Sequence, residues 1–323
     1  MVERLNGIEE VWGSNPHGSK YERWLSKAAL PNRQIFSITN VVTSELQSMK
    51  GKVVLITGAT RGIGRAGALA LARMGADLIL VGRDPKRLKE VSENCSKVGA
   101  GRVKTVKTDL TSRRQVATLA KKLNQEEVRL DVLWNNAGGY FTERKTTREG
   151  NERTWAMNHL AYFDLTQALF PLLKKSRDPR VICTASEAHR WGRVQWNNLH
   201  GESRWDGWRA YCLTKLANLL YVAEQGRRLG KSKIRICAVH PGLVNSALGD
   251  ENRGVTGWAF LWLKRFFGKT NEQGADTAVW LANRKDRPHQ GGYYAYRKER
   301  KPSLAASNME DARKLWKISE VIP

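Results

Sequence analysis

Two side chains four residues apart, Tyr211 and Lys215, have the types needed to move a proton. On a helix that spacing puts them on one face, one turn from each other. A phenol with a reference pKa near ~10 is a poor acid–base catalyst at neutral pH, and a neighbouring ammonium favours its phenolate. Such a pair could deliver a proton to an oxygen on which negative charge is building. Ser186 could donate a hydrogen bond to the same oxygen and polarise it. A second kind of chemistry is suggested by Thr57-Gly58-x3-Gly62-Ile63-Gly64. Glycine lets the backbone approach a diphosphate, and a following helix offers unpaired N–H groups and the positive end of its dipole. The spacing differs from G-x-G-x-x-G. A lone Tyr-x3-Lys is usually coincidence and a lone glycine turn is as often structural, so the elements that carry them must decide.

Residues 53–56 form a short apolar, β-branched run closed by Thr57-Gly58, the pattern of a buried strand, and 63–74 has helical composition. Further strands are predicted at 77–82, 103–107, 131–134, 180–184, 234–239 and 293–295. Helices are predicted at 85–98, 112–127 with Ser112 as N-cap, a long kinked region at 150–175, 208–229 and 272–282. Strand–helix alternation of this kind implies an α/β, Rossmann-type doubly wound, mostly parallel sheet with helices on both faces, binding ligands beyond the strands' carboxyl ends. Those ends carry Gly58–Gly64, Arg83, Asp109, Asn136-Ala137-Gly138, Ser186 and Pro241-Gly242 in turn.

The bulk composition sets outer bounds. The chain has 323 residues, 41% of them hydrophobic, enough for a large core, and no run approaches the ~20 apolar residues of a membrane span. No signal-peptide pattern is expected in residues 1–30. Cys95, Cys183, Cys212 and Cys237 are scattered and read as reduced, buried thiols of a cytosolic-type compartment; with the histidines equally unclustered, no metal site is expected. The net charge is +24, and residues 1–50 hold six Lys/Arg against five Asp/Glu, so the excess lies later. It favours anionic partners such as phosphorylated cofactors or lipid surfaces, or is simply a solvated basic surface. Residues 1–48 read as an N-terminal arm interrupted by Pro16 and Pro31, and 49–323 as a single domain.

Taken together and in order, these residues resemble the short-chain dehydrogenase/reductase family over about 51–296. The motifs are Thr57-Gly58-x3-Gly62-Ile63-Gly64, Asn135-Asn136-Ala137-Gly138, Asn158, Ser186, Tyr211-x3-Lys215 and Pro241-Gly242. Within the family the chain is most similar to the retinol dehydrogenase group, on Asn158-His159-Leu160, Ser186 to His189, Tyr211 to Asn218, His240-Pro241-Gly242, and Trp258 to Phe267 followed by Gln273-Gly274-Ala275. It departs from that group in Ala185, where a serine is common, and in having no membrane anchor before Lys52. The resemblance implies hydride transfer with a catalytic set of Asn158, Ser186, Tyr211 and Lys215. In it the lysine also holds the nicotinamide ribose, and the asparagine holds a water that links the lysine to solvent. It implies cofactor contacts from Gly58, Arg61, Gly62, Ile63, Gly64, Arg83, Asp109 at the adenine, Leu110, Asn136, Ala137, Gly138, Tyr211, Lys215, Pro241, Gly242, Val244 and Ser246 at the nicotinamide carboxamide.

An acidic residue after the second strand would select NAD. Here Gly82-Arg83, with Arg61 in the glycine turn, favours a 2′-phosphate and NADP(H); the alternative is that Asp84 takes the acidic role. The 25 positions from Ser186 to Tyr211 hold Trp191, Trp196, Trp205 and Trp208, and 258–267 is aromatic with Lys264 and Arg265 inside it. A lid of this kind suits a lipophilic alcohol, aldehyde or ketone and a lipid surface, or else packs into the core. His189 reads as structural, and the tail from Tyr293 to Trp316 is expected beside the pocket. The reading is therefore an NADP(H)-dependent enzyme acting on a lipophilic carbonyl or alcohol, or on a steroid, polyketide or pigment intermediate. The rival class is a nucleotide-binding scaffold using its basic surface. A cytoplasmic location with peripheral contact to anionic membrane is expected, homo-oligomers are compatible with the family, and no nucleic-acid motif is present.

Overall fold

The computed structural model describes residues 48–242, 244 and 269–322. The arm up to residue 47, Ser246 and the 258–267 segment lie outside the described residues.

The first strand, β1 (Val53–Thr57), is buried along its whole length because both its faces are covered. Its neighbouring residues supply different layers: Leu55 belongs to one hydrophobic cluster, Val54 and Ile56 to the other. This is the period-two alternation of a strand between two helical layers. Helix α1 (Gly62–Arg73) leads to β2 (Asp77–Gly82), α2 (Pro85–Lys97), β3 (Val103–Lys107), α3 (Arg113–Glu126) and β4 (Val132–Asn135). The chain then enters a short helix α4 (Arg153–Trp155), a π-helical turn (Ala156–Leu160), α5 (Ala161–Ala168), α6 (Phe170–Lys174) and β5 (Arg180–Thr184). A 3-10 turn (Glu187–Trp191), α7 (Gly207–Leu229), β6 (Arg235–Val239), α8 (Asn271–Asn283), β7 (Gly292–Ala295), β8 (Lys298–Glu299) and α9 (Met309–Val321) complete the described order.

The strands form one sheet in the order β3-β2-β1-β4-β5-β6-β7-β8, parallel throughout except for β8, which runs antiparallel to β7. Strand order reverses between β1 and β4, and a doubly wound sheet opens its ligand crevice at that switch point. One face is covered by α3, α5, α7 and α9, the other by α1, α2 and α8. The sequence dictates several boundaries locally. Asp84 caps α2 through Lys86 N and Arg87 N, with Pro85 in the first turn, and Ser112 caps α3. Thr270 and Gln273 form a capping box on α8.

Three features differ from the sequence reading or were missing from it. The long helix expected at 150–175 is divided, first by the π turn and then at Leu169, where Pro171 in the first turn of α6 enforces the break. The last strand continues into a hairpin whose two-residue turn, Tyr296-Arg297, has φ of 55° and 57°. Such turns usually use Gly or Asn. Here Lys269 stacks on the Tyr296 ring and Arg297 pairs with Asp276. The tail beyond the hairpin ends in α9, whose Trp316 stacks on Tyr221 and meets Phe163 edge-on. Tyr221 lies ten residues beyond Tyr211 on the same helix, roughly 15 Å along it. The expectation that the tail as far as Trp316 packs beside the pocket is therefore corrected: Trp316 is committed to the core, and only the part near Tyr293 and Ser303 reaches the site. All four cysteines are free and buried, as expected.

Candidate active site

Helix α7 delivers Tyr211 and Lys215 to one point at the carboxyl end of β5, and both are buried. Lys215 Nζ donates to the Thr184 carbonyl at 2.9 Å and lies 5.6 Å from the centre of the Tyr211 ring. Burial pushes the lysine down to about 8, so it still carries its charge at neutral pH. Burial also drives the Tyr211 phenol above its ordinary value, opposed by a hydrogen bond from Ser186. The lowering of the Tyr211 pKa expected from Lys215 is not found: burial dominates, and the neighbour that opposes it is Ser186. Removing the phenolate from water costs more than the neighbouring groups return.

Ser186 is the N-cap of the 3-10 turn, and its Oγ accepts from Ala188 N at 3.2 Å. Asn158 sits on the π turn, a distortion that recurs at functional sites. Fully buried, it grips Gly139 from both sides: Gly139 N donates to Asn158 Oδ1 at 2.8 Å, and Asn158 Nδ2 donates to the Gly139 carbonyl at 2.9 Å. Asn158 Nδ2 also donates to Thr214 Oγ1 at 3.1 Å, tying the turn after β4 to α7. A Cβ at Gly138 would lie 3.3 Å from Asn158 Oδ1 and 3.7 Å from Lys215 Nζ, which places all three together.

The glycine turn lies across the switch point from these groups. Gly58 has φ of +66°, and a Cβ there would come within 2.9 Å of Ala137 Cα. A Cβ at Gly64 would fall 2.6 Å from the Asn136 amide nitrogen and closer still to the Gly58 carbonyl oxygen. Thr57 Oγ1 accepts from Asn136 N and Ala137 N at 2.9 and 3.0 Å, fastening the β1 and β4 turns together. Helix α1 has no side-chain cap at Arg61 and no acidic residue in its first turn, so its N-terminal N–H groups and dipole are left for an anion. A dinucleotide diphosphate fits this arrangement. Ile63 and Val244 both lie against Gly274 at the start of α8.

The two candidate residues for a 2′-phosphate, Arg61 and Arg83, are exposed, and neither forms an ion pair among the described residues. The Asp84 carboxylate accepts from Lys86 N and Arg87 N at 3.0 and 3.2 Å and faces Arg87 Nε at 3.3 Å. Asp109 is half-buried, and its Oδ1 accepts from Thr111 N and Oγ1 at 3.0 and 2.8 Å; Leu110 beside it is buried. Among the described residues no cluster of His, Cys, Asp or Glu could hold a metal ion, and no helix is long and apolar enough to cross a membrane.

Sequence reasoning missed the walls around Tyr211. Tyr140 meets its ring edge-on at 5.9 Å, and Trp208 stacks on it at 6.1 Å, with Trp191 next in line at 6.3 Å. Trp191 and Trp208 were noted only as part of a tryptophan-rich stretch. Tyr140, Gly139, Thr184 and Thr214 carry no signal in isolation, since tertiary packing alone brings them here. His189 is buried and bonded at both ring nitrogens to the protein, in keeping with its structural reading.

Comparison with known proteins agrees with this geometry. The family profile described as short chain dehydrogenase matches residues 52–254. Mouse retinol dehydrogenase 14 is 36% identical over 295 residues, covering 85% of this chain and 86% of that protein. A Streptomyces protein described as a daunorubicin C-13 ketoreductase is 37% identical over 273 residues, covering 84% and 92%. The crystal structure of an uncharacterised protein from Mycobacterium paratuberculosis superposes with a TM-score of 0.70 at 30% identity, over 86% of this chain and 95% of that one.

Proposed function

The chain belongs to the short-chain dehydrogenase family, and from that premise we propose that it is an NADP(H)-dependent oxidoreductase interconverting a lipophilic alcohol and its aldehyde or ketone. The observation that carries this reading is the meeting of Tyr211 and Lys215, one turn apart on α7, beside Gly138 and Asn158 at the end of β4. When bound, the nicotinamide cofactor supplies or accepts the hydride.

The remaining work falls to the chain's own residues. Tyr211 Oη gives its proton to the carbonyl oxygen in reduction and takes it from the alcohol in oxidation. Burial keeps that proton on the phenol, which suits the reductive direction. Lys215, charged at neutral pH and buried behind the ring, stabilises the phenolate left after transfer. The Ser186 hydroxyl, whose Oγ accepts from Ala188 N and so keeps its proton for another partner, hydrogen-bonds the same substrate oxygen and stabilises its growing charge. Asn158 fixes the Gly138-Gly139 backbone beside Lys215, where a water would link the lysine to solvent.

Residues Gly58, Gly62, Ile63 and Gly64, with Asn136, Ala137, Gly138, Pro241, Gly242 and Val244, form the cofactor trough in this reading, while Asp109 and Leu110 flank the adenine. Preference for NADP(H) follows from Arg61 and Arg83. The competing assignment to Asp84 is weakened because its carboxylate is already occupied in capping α2. Tyr140, Trp191 and Trp208 give the substrate side an apolar, aromatic wall. The relatives' names denote an alcohol dehydrogenation and a ketone reduction, which the same groups perform in opposite directions. The net charge of +24 suits peripheral contact with an anionic bilayer, a reservoir for lipophilic substrates. Residues 49–323 would form the catalytic unit and 1–48 an arm. A binding-only scaffold would have no use for Tyr211, Ser186 and Lys215 in this geometry.

The test is a fluorescence titration with NADPH and NADH on wild type and Arg83→Ala, followed by a panel of lipophilic carbonyls with Tyr211→Phe as the blank. NADPH binding that weakens in Arg83→Ala, with turnover lost in Tyr211→Phe, is the expected result. Equal binding of NADH overturns the cofactor preference, and turnover unchanged in Tyr211→Phe overturns the reaction.

A further inference from the structure

Ser186 can polarise a substrate oxygen only if its proton points the right way, and the 3-10 turn that follows it sets that direction. Because Ser186 Oγ accepts from Ala188 N, its lone pair faces the turn and its proton is left for Tyr211 and the substrate. The turn itself is held by its own side chains and by two from distant segments, His240 and Tyr293.

His189 Nδ1 lies 2.7 Å from the Ser186 carbonyl oxygen, and Ser303 N donates to His189 Nε2 at 3.1 Å. With Nε2 accepting, the ring proton must sit on Nδ1 and be donated to Ser186 O, so two backbone groups fix one neutral tautomer. A second imidazole accepts from the turn through one ring nitrogen, while its own backbone is tied to β7. Glu187 N donates to His240 Nδ1 at 3.3 Å, and His240 N donates to the Tyr294 carbonyl at 2.8 Å, immediately before Pro241-Gly242. The Glu187 carboxylate accepts from Tyr293 Oη at 2.7 Å and from Arg190 Nε at 2.5 Å, and Arg190 reaches the Lys301 carbonyl at 3.2 Å. Both imidazoles are buried, and the charged groups facing them are Glu187, Arg190 and Lys269. Protonating either ring would set a ring N–H against a backbone N–H.

We infer that His189 and His240 are positioning residues: two neutral imidazoles clamp the turn after Ser186 to the 301–303 segment and to the end of β6, and so aim the Ser186 proton. The clamp rests on the proposed hydride-transfer reading and extends it to residues that touch neither substrate nor cofactor.

Amide replacements separate positioning from bulk. Asparagine places its amide near the position of imidazole Nδ1, and glutamine reaches that of Nε2. His189→Asn therefore keeps donation to Ser186 O, His189→Gln keeps only the Ser303 contact, and His189→Phe keeps neither. The measurements are kcat and KM on the panel carbonyl that wild type reduces fastest, with NADPH affinity and melting temperature recorded for each variant. His189→Phe and His189→Gln should lose kcat by about 100-fold, the cost of a misplaced catalytic group. His189→Asn should retain most of it, and NADPH affinity should be unchanged in all three. His240→Asn, which keeps an acceptor for Glu187 N, should likewise outperform His240→Leu. If His189→Phe does not fold, the Asn–Gln contrast and the His240 pair decide. Wild-type kcat in His189→Gln and His240→Leu, or an equal loss in the Asn and Gln variants, overturns the clamp alone. If Tyr211→Phe is as active as wild type, the reaction is overturned and the clamp with it.

Discussion

The glycine turn and the Ser186 turn hold two halves of one site by opposite means. Around Gly58 and Gly64 the geometry depends on missing side chains: neighbouring backbones from β1 and β4 occupy the space that Cβ atoms would fill. Around Ser186 it depends on side chains present: Glu187 and His189 of the turn itself, together with His240 and Tyr293 from two other segments, hold its five residues. The first arrangement excludes every larger residue. The second is graded, because a replacement that keeps one hydrogen bond keeps part of the geometry. The glycine turn should therefore govern cofactor affinity, and the Ser186 turn should govern kcat.

Removing the proposed acid gives the largest expected effect. Tyr211→Phe should lower kcat by about 100- to 10,000-fold, the range for a lost general acid, while NADPH affinity stays near wild type. A parallel loss of NADPH binding would break the division between the two halves. Gly64→Ala comes next and sharpens it from the other side. The added methyl would press on the Gly58 carbonyl and the Asn136 amide, so NADPH binding should weaken strongly, with a stability loss of about 1–3 kcal/mol from overpacking. Titration and thermal melting together check this, and unchanged NADPH affinity would refute the trough. Arg83→Ala should have a smaller effect on the same half. Losing one charge-assisted contact of about 1.5–3 kcal/mol should weaken NADPH roughly 10- to 100-fold and leave NADH unaffected.

The same contrast explains what could be read from the chain. The strands at 77–82, 103–107 and 180–184 and the cap Ser112 rest on local signals, and the structure places them where expected. The glycine turn was legible because its residues are consecutive in the chain, although the close approach that requires them comes from Asn136 and Ala137. Helix α9 did carry a signal that went unread: Asn308 as cap, Glu310 and Asp311 in the first turn, then Ala312, Leu315, Trp316 and Ser319 at helical spacing. The Tyr296-Arg297 turn gave no such signal, since its positive φ is stabilised by Lys269 and Asp276 rather than by residue type. His189 reads as structural in the sequence, but its partner Ser303 is 114 residues away and no periodicity connects them. Tyr140 beside Tyr211 was hidden for the same reason.

Acid stability gives the smallest effect, and it again separates the two halves, because the histidines concerned lie on the catalytic side. Burial lowers His240 from 6.5 to about 4 and His159, packed under α9 with Ser319 at 2.9 Å, from 6.5 to about 3. Above ~pH 6.5 both rings are neutral, folded or unfolded, and contribute no pH dependence. As the pH falls below that value the unfolded chain takes up protons that the folded protein refuses, so stability declines until each folded pKa is reached. At about pH 5 each ring should cost about 2 kcal/mol relative to neutral pH. Urea midpoints measured at the two pH values should therefore differ, and His240→Asn, which cannot titrate, should remove its own share of that difference, about 2 kcal/mol. A slope unchanged in His240→Asn would mean that the folded protein protonates His240 as readily as the unfolded chain does. The acceptor role of the ring toward Glu187 N would then be wrong, and the Ser186 turn would lose one of its two anchors.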